Sequence, residues 1–327
     1  MTTRTGRAGG KVILFGEHAV VYGVPAIAVG IERGAFASAT PLASGPSTLR
    51  SPTWNITVSE DEPDVPLARA LHDVLDVTRA GGVAIGPVAV EVTADLPPGG
   101  GLGCSAALGV AIARALDPEA APEVIADRAG AWERTFHGNP SGVDAAVSAL
   151  GGCVLFKRGA PGAGATIERI RATGTLHLCV GNTGHPSSTR LMVEGLAQLC
   201  ARRPDTTRKA FDAIDSVVRS ARLAIEAGDR AAVGQLLDRN QVLLAELALS
   251  TPAIERMCAA ARAAGALGAK LTGGGGGGCV IALADGPEVG ARVLAAWKAV
   301  GFDGFLTTVG AEVPRRSVAP KLEAEAE

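Results

Sequence analysis

Residues 97–107 read PPGGGLGCSAA, and this glycine stretch separates two apolar segments of different periodicity. Before it, valines alternate with other residues over positions 87–96, which predicts a half-buried strand. After it, residues 105–116 (SAALGVAIARAL) have a helical pattern. Glycines at a helix N-terminus direct free backbone N–H groups and the positive end of the helix dipole towards one point. The order strand, glycine loop, helix therefore predicts a phosphate-binding loop, with a tight structural turn as the alternative.

The same loop also fits a different nucleotide chemistry. Gly101, Gly103 and Ala106 satisfy the G-x-G-x-x-A fingerprint of dinucleotide-binding folds, which favours a nicotinamide dehydrogenase. That fold needs a second parallel strand with an acidic residue at its end, about 20 residues further on. Here residues 122–136 have a helical pattern instead. The dehydrogenase is the weaker reading, and the chain has no Gly-Lys-Ser/Thr of a Walker A loop.

Three further side chains fit phosphoryl transfer. A kinase needs oxygen ligands for the Mg²⁺ that accompanies the nucleotide phosphates, and a group that accepts the proton of the attacking alcohol. Ser105 opens the helix after the glycine loop, Glu133 lies on the next predicted helix, and Asp144 ends the predicted loop HGNPSGVD. Taken singly, Glu133 also fits a solvated helix face, and Asp144 fits a turn beside Gly142.

A second glycine run lies nearer the C-terminus. Residues 273–278 are six consecutive glycines, which follow Lys270-Leu271-Thr272 and precede the apolar run 280–283. Glycine loses more conformational freedom on folding than any other residue, so this run is unfavourable in a simple connector. Flexible linkers also contain Ser or charged residues. We predict a loop that leads into a strand and whose backbone closely approaches another loop or a ligand.

The remaining pattern gives a coarse outline of the fold. Residues 11–31 contain two strand-like runs around a turn, residues 43–53 have loop composition, and residues 65–79 have helical spacing. Mixed strands and helices give way to a mostly helical pattern near residue 170. With 327 residues, two lobes are favoured over one.

Composition excludes several classes of protein. The chain is 47% hydrophobic but only 3% aromatic, so Ala and Val must fill much of the core. Its net charge of -2 provides no field that would attract nucleic acid or an acidic membrane. The 43 glycines are about twice the usual share but follow no Gly-X-Y period. A globular protein without a nucleic-acid or membrane partner is expected.

Cysteine usage and the N-terminus indicate the compartment. The six cysteines are widely spaced and form no Cys-x-x-Cys, which argues against a structural zinc site and a disulfide scaffold. The apolar runs at 12–15 and 19–21 are far shorter than the roughly 20 residues of a membrane-spanning helix. No secretory signal is evident. These features predict a cytoplasmic protein.

Together the motifs resemble the GHMP kinase superfamily. Residues 11–28 (KVILFGEHAVVYGVPAIA) are similar to its first motif, and the form GEHAVVYG is typical of the mevalonate kinase branch. PPGGGLGCSAA resembles the ATP-binding signature, and residues 270–279 (KLTGGGGGGC) resemble the third motif. The resemblance extends over residues 10–310. Further segments typical of that branch are HGNPSGVD, NTGHPSSTR and NQVLLAELALSTP.

The resemblance implies an α+β, two-lobe GHMP kinase fold with ATP in the cleft between the lobes. The N-terminal, ATP-binding lobe is expected to be S5-like and to cover residues 1–170. The C-terminal lobe is expected to be ferredoxin-like and to cover residues 171–315. The charged residues 316–327 are expected to form a disordered tail. A homodimer is implied by the resemblance alone.

The resemblance also implies roles for individual residues. Ser105 and Glu133 would hold Mg²⁺, and Asp144 would be the base for the 5-hydroxyl of mevalonate. Lys11 would lie beside Asp144 and stabilise the negative charge that develops during transfer. The expected nucleotide-binding residues are Pro98, Gly99, Gly100, Gly101, Leu102, Gly103, Cys104, Ser105 and Ala106.

The expected mevalonate pocket contains three more residues besides Lys11 and Asp144. Glu17 and His18 would line it, and Thr189 lies on a segment near the substrate. Without the resemblance, Lys11 would be read as a solvated lysine and His18 as a turn histidine.

The sequence departs from the family pattern at two positions. Cys104 occupies the place of the first Ser in a Ser-Ser pair, which replaces a hydroxyl with a weaker donor. If that hydroxyl normally contacts phosphate, a lower nucleotide affinity is expected, while backbone N–H groups and Ser105 still hold the phosphates. Gly274 replaces a common Ala. Two alternatives to a mevalonate kinase stay open, namely a GHMP kinase for another alcohol such as phosphomevalonate or homoserine, and a non-catalytic ligand sensor. A sensor has no need to retain the four groups Lys11, Ser105, Glu133 and Asp144.

Overall fold

The computed structural model describes residues 2–96, 100–137, 142–159, 165–186 and 188–309. Pro98, Gly99 and the predicted tail at 316–327 lie outside these ranges. The strands are β1 (Arg4–Phe15), β2 (Ala26–Pro41), β3 (Thr48–Ser51), β4 (Ile56–Ser59), β5 (Val88–Ala94), β6 (Cys153–Lys157), β7 (Thr166–Ile170), β8 (Leu176–Asn182), β9 (Gly268–Thr272), β10 (Cys279–Ala284) and β11 (Asp303–Val309). The helices are α1 (Pro66–Ala80), α2 (Cys104–Leu116), α3 (Pro122–His137), α4 (Val143–Leu150), α5 (Thr189–Arg202), α6 (Pro204–Ala227), α7 (Arg230–Glu246), α8 (Pro252–Ala263) and α9 (Pro287–Ala299).

Strands β1 to β7 form the first sheet of the described chain. Its order is β4-β3-β5-β2-β6-β7, and β1 pairs antiparallel with the long strand β2. This pairing confirms the strand-turn-strand opening predicted for residues 11–31. The prediction of a loop at 43–53 was wrong in part, because β3 lies there and pairs in parallel with β5. Local pattern does not reveal so short a strand, since it depends on pairing with β4, which follows it, and with the more distant β5.

Helix α2 packs against the first sheet with very little space between backbones. It is buried along most of its length, as its apolar composition requires. A Cβ atom built on Gly6 of β1 would lie 2.1 Å from the carbonyl oxygen of Ala111 in α2. A Cβ on Gly109 would lie 2.8 Å from the Trp132 ring of α3. Glycine and alanine thus let the elements approach closely, which explains how a core poor in aromatic residues can be filled.

Strands β8 to β11 form the second sheet. Its order is β11-β8-β10-β9, and every neighbouring pair is antiparallel. Numbered from β8, this is the order 4-1-3-2, and the helices between β8 and β9 and between β10 and β11 give a ferredoxin-like arrangement. The sheet therefore confirms the expected C-terminal architecture. The sequence prediction placed Lys270-Leu271-Thr272 in a loop, but these residues form the end of the buried strand β9.

The two sheets meet where β1 passes β9. Thr272 Oγ1 accepts a hydrogen bond from the Ile13 amide at 3.0 Å and donates one to the Ile13 carbonyl at 2.9 Å. The chain passes from the first sheet to the second between Ile170 and Leu176. The exact lobe limits at 170 and 315 stay a prediction. Among the described residues, no helix combines the length and the apolar character needed to cross a membrane.

Candidate active site

The glycine loop leads directly into the N-terminus of α2. Gly101 and Gly103 have φ values of 71° and 73°, a left-handed conformation that favours glycine. Gly103 is the N-cap of α2, and it has no side chain that could accept hydrogen bonds from the first N–H groups of the helix. Those donors, on Cys104, Ser105 and Ala106, are available to an anion. Of the predicted nucleotide-binding residues, Pro98 and Gly99 lie outside the described part of the chain.

Lys11 connects β1 to this loop. Its backbone N–H donates to the carbonyl oxygen of Leu102 at 2.9 Å. A Cβ built on Gly103 would lie 2.9 Å from Cγ of Lys11, so only glycine leaves room for the lysine stem. The Nζ atom lies 3.1 Å from Oδ1 of Asp144. The lysine is buried, with 5% of its surface exposed. The structure thus places Lys11 and Asp144 together, as the resemblance implied.

Asp144 lies on a helix and not in a loop, which corrects the sequence prediction. It belongs to the first turn of α4, whose N-cap is Gly142 with a φ of 80°. Val143 and Val147 of α4 pack into a small core against strands β2 and β6. This packing fixes the helix, and the helix N-terminus favours a negative side chain. Asp144 retains a 34% exposed side chain, so its carboxylate is open to a ligand.

Ser105 and Glu133 also meet. The Ser105 hydroxyl donates to Oε1 of Glu133 at 2.6 Å, and Glu133 is only 4% exposed. Both oxygens therefore lie at the start of α2, beside the glycine loop. The element that follows α2 is the helix α3, so the second parallel strand of a dinucleotide-binding fold is not present there. This finding removes the structural basis of the dehydrogenase alternative.

The second glycine run is a fixed loop between β9 and β10. Its Gly276 amide donates to the Leu249 carbonyl at 2.8 Å, and its Gly278 amide donates to the His185 carbonyl at 2.9 Å. A Cβ built on Gly275 would lie 2.4 Å from the Leu249 carbonyl oxygen. Positive φ values between 66° and 147° occur at Gly273, Gly275, Gly276, Gly277 and Gly278. The run is therefore a specific structure and not a flexible linker.

The two glycine loops touch each other. A Cβ built on Gly273 would lie 3.6 Å from the carbonyl oxygen of Gly101 and 3.7 Å from its Cα atom. The second run was predicted to approach another loop or a ligand closely, and this distance shows the approach to another loop. The contact brings β9, from the second sheet, to the N-terminus of α2.

Glu17 occupies a different position from the one expected. It was predicted to line a substrate pocket, but it is fully buried. Lys270 donates to its Oε1, and Asn240 Nδ2 donates to its Oε2 at 3.2 Å. Lys270 is itself fully buried and also donates to the Leu271 carbonyl. The carboxylate of Glu17 is thus bound to protein groups and is not exposed to a pocket.

His18 is buried as well, with 7% of its surface exposed. Its Nε2 lies 2.7 Å from the carbonyl oxygen of Gly274. Because that oxygen can only accept, Nε2 carries the hydrogen. Burial lowers the pKa of His18, while the bond to Gly274 and the charge of Glu17 oppose this shift. Because its pKa is lowered, the ring is neutral at pH 7. The hydrogen bond from Nε2 attaches the second glycine loop to His18.

Thr189 and Cys104 complete the predicted set. Thr189 is exposed at the first residue of α5 and precedes Met192, whose sulfur lies beside Gly276. It therefore lies near the second glycine loop. Cys104 is partly buried at the start of α2, and burial, together with Asp95, raises the pKa of its thiol. The thiol is thus protonated and adds no negative charge to the loop.

Sequence reasoning missed several residues that hold the site together. Lys270 was noted only as part of a motif, and Asn240 and Thr272 were given no role. A signal for Lys270 does exist, since a lysine between the apolar residues of a buried strand requires an acidic partner. The identity of that partner, Glu17, depends on the tertiary fold.

Comparisons with known proteins agree with this architecture. Residues 67–152 match the family described as GHMP kinases N terminal domain, and residues 221–303 match GHMP kinases C terminal. Mevalonate kinase of Pyrococcus abyssi is 34% identical over 93% of this chain and 95% of that protein. Human mevalonate kinase is 31% identical over 93% of this chain and 92% of that protein. The crystal structure of L. major mevalonate kinase in complex with R-mevalonate has a TM-score of 0.79 and 28% identity, covering 94% of this chain and 96% of that one.

The fold and these matches show that the chain belongs to the GHMP kinase family, a class of ATP-dependent kinases. Within that family, the relatives that match nearly its whole length are mevalonate kinases.

Proposed function

We propose that this protein is a mevalonate kinase, which transfers the terminal phosphoryl group of ATP to the 5-hydroxyl of (R)-mevalonate. The observation that carries the proposal is the ion pair between Lys11 and Asp144, 3.1 Å apart and beside the glycine loop at the N-terminus of α2. Relatives that carry this name over nearly the full chain support the choice of acceptor.

Asp144 is proposed as the group that accepts the proton of the attacking hydroxyl. Its carboxylate is exposed enough to reach a substrate, and its helix is fixed by core packing. As the new P–O bond forms at the acceptor oxygen, the bond to the leaving ADP breaks and the proton passes to Asp144. Lys11 lies next to Asp144 and stabilises the negative charge on the reacting oxygens. The N–H groups at the start of α2 bind the phosphates.

Mg²⁺ is proposed to accompany ATP, with Ser105 and Glu133 as its protein ligands. The residues fit the ion, because a hydroxyl and a carboxylate lie 2.6 Å apart at the phosphate-binding helix terminus. No cluster of three or more His, Cys, Asp or Glu suited to a metal occurs among the described residues. Mg²⁺ does not need one, since it commonly takes one or two protein oxygens together with phosphates and water. When bound, the ion supplies charge neutralisation of the phosphates.

An ATP-coupled assay tests the proposed substrate. Purified protein is given ATP and Mg²⁺ with (R)-mevalonate, phosphomevalonate or homoserine, and ADP release is followed. ADP formation with mevalonate and not with the other two is expected. Turnover of phosphomevalonate or homoserine without turnover of mevalonate would show that the acceptor is wrong while the kinase assignment holds.

We also propose a cytoplasmic setting, which the six free cysteines support, because disulfides are rare in reducing compartments. The homodimer implied by the resemblance stays a prediction.

A further inference from the structure

We propose that Glu17 and His18 are positioning residues, which hold the second glycine loop (273–278) against the phosphate-binding loop (100–103) so that both can contact one nucleotide. Lys270 and Asn240 are their anchors in the second sheet and its helices. The inference deepens the proposed function and rests on it for the identity of the bound nucleotide, ATP.

The first anchor is the buried ion pair between Glu17 and Lys270. Both residues have 0% exposure, and Asn240 is equally buried. Burial lowers the pKa of Lys270, and the Glu17 carboxylate opposes that shift. Buried ion pairs often contribute little net stability compared with apolar residues of the same size, whereas removal of one partner is strongly destabilising. The role of this ion pair is geometric, because the Lys270 ammonium group binds the Glu17 carboxylate and the Leu271 carbonyl at the same time.

The second anchor is the hydrogen bond from His18 to Gly274. His18 has a φ of 58° and a ψ of -43°, and the Ala19 amide donates to the Glu17 carbonyl at 2.6 Å. These values describe a γ-turn of the rare, strained type with His18 at its centre. Such strain persists where the surroundings over-determine the backbone, and it is common at functional sites. Here the side chains of two consecutive residues are both held by the second sheet and its loop.

The anchors act on the same strand that carries the reactive lysine. Along β1 and the turn after it, Ile13 bonds to Thr272, Glu17 to Lys270, and His18 to Gly274. Ile13 lies two residues after Lys11, and the residue after Thr272 is Gly273, which contacts Gly101. The relative position of the two glycine loops is therefore set by contacts at several points along one edge of β9 and its loop.

A purely structural role makes a different prediction from a positioning role. Glu17→Gln and Lys270→Met each leave one buried partner unmatched, so both single variants lose stability. The double variant Glu17→Gln/Lys270→Met removes both charges and recovers much of that stability. If the pair only balances charge, nucleotide binding recovers too. If the pair positions the loop, nucleotide binding stays weak, because methionine makes no hydrogen bond to the side chain at position 17 or to the Leu271 carbonyl.

The measurement is the affinity of a fluorescent ATP analogue in the presence of Mg²⁺, alongside thermal unfolding. We expect the double variant to fold but to bind the analogue at least about tenfold more weakly than the wild type. A control is the ion pair of the buried Arg128 with the partly exposed Asp117, 2.7 Å apart and packed beside the first sheet, changed together to Met and Asn. The control should leave nucleotide affinity unchanged. Wild-type affinity in the double variant would overturn the proposal.

His18 provides a second test if the ion-pair variants do not fold. His18→Gly removes the ring but relieves the backbone strain, whereas His18→Ala removes the ring and keeps the strain. We expect His18→Gly to unfold at a higher temperature than His18→Ala, while both bind the ATP analogue about tenfold more weakly than the wild type. Normal binding by His18→Gly would show that the ring has no positioning role. Because nucleotide binding needs no acceptor alcohol, a wrong substrate assignment would leave these results unaffected.

Discussion

Nζ of Lys11 lies 3.1 Å from Oδ1 of Asp144, and the two side chains differ sharply in exposure. The lysine side chain is 6% exposed and the aspartate side chain 34%. The lysine is thus held by the protein, through its backbone bond to Leu102 and its contact with Gly103. The aspartate carboxylate stays accessible from outside the protein. This asymmetry suits a fixed cation beside an accessible base.

Asp144→Asn should therefore separate catalysis from binding. The amide cannot accept the proton of the hydroxyl, so kcat is expected to fall by roughly a thousandfold. ATP affinity should stay within about threefold, since the proposed phosphate site is formed by the glycine loop and the start of α2 and not by Asp144. Steady-state kinetics and nucleotide titration measure the two effects. Asp127→Asn, an exposed change on the neighbouring helix α3, is the control and should leave both values unchanged. Equal loss of turnover and ATP binding in Asp144→Asn would contradict the base role.

Glu133→Gln should change the dependence on Mg²⁺. The amide oxygen of glutamine is a weaker Mg²⁺ ligand than a carboxylate oxygen and carries no charge. About tenfold more Mg²⁺ is therefore expected for half-maximal activity at fixed ATP. A magnesium titration of the initial rate measures this shift. Glu123→Gln, at an exposed position of the same helix, should give the wild-type curve. The same Mg²⁺ requirement in Glu133→Gln would exclude this carboxylate as a ligand.

Local sequence patterns predicted most of the elements that carry the site. The alternating valines of β5, the apolar helix α2 and the glycine loop between them occur where the periodicity places them. These signals are local, because each depends only on residues that are close together in the sequence. The boundary of α4 was missed, since Asp144 follows a Pro-Gly-containing segment that has loop composition.

Long-range contacts could not be predicted in the same way. Nothing in the residues around Glu17 indicates that its partner lies 253 positions away. The resemblance placed Glu17 at a pocket, whereas the fold buries it against Lys270. The contact between Gly101 and Gly273 was predicted only as an approach of the second glycine run to another loop or to a ligand, because sequence does not specify the partner. Tertiary packing supplies this information.

The buried ring of His18 should make stability depend on pH. Its pKa is lowered by burial in the folded state, whereas the unfolded ring has an ordinary value of 6.5. As the pH falls below 6.5, the unfolded chain therefore binds a proton before the folded one does, and the free energy of unfolding decreases. The stability that the neutral ring contributes is fully present above pH 6.5 and is lost progressively as the pH falls towards the lower pKa of the folded state. His18→Asn tolerates a positive φ and does not titrate there.

Thermal unfolding of the wild type and of His18→Asn between pH 7.5 and 5.5 measures this effect. Other titrating groups are the same in the two proteins, so their contributions cancel in the comparison. We expect the wild type to lose more stability on acidification than His18→Asn. Parallel curves, or a wild type that gains stability at low pH relative to the variant, would show that the ring is not buried in its neutral form.

Adjacent glycines in the second loop should respond differently to alanine. Gly275 and Gly276 have nearly equal φ values of 66° and 68°, so alanine meets similar backbone strain at either position. A Cβ on Gly275 would lie 2.4 Å from the Leu249 carbonyl oxygen, which also accepts the Gly276 amide. A Cβ on Gly276 would lie 2.5 Å from the sulfur of Met192, a flexible side chain that can move away. Gly275→Ala should therefore lower the unfolding free energy by at least about 1 kcal/mol more than Gly276→Ala, because it also disturbs a backbone hydrogen bond. Urea unfolding measures the difference, and Gly45→Ala, with a φ of 92° and open space around it, gives the cost of the conformation alone. An equal or larger loss in Gly276→Ala would mean that the loop does not pack on the Leu249 carbonyl as described.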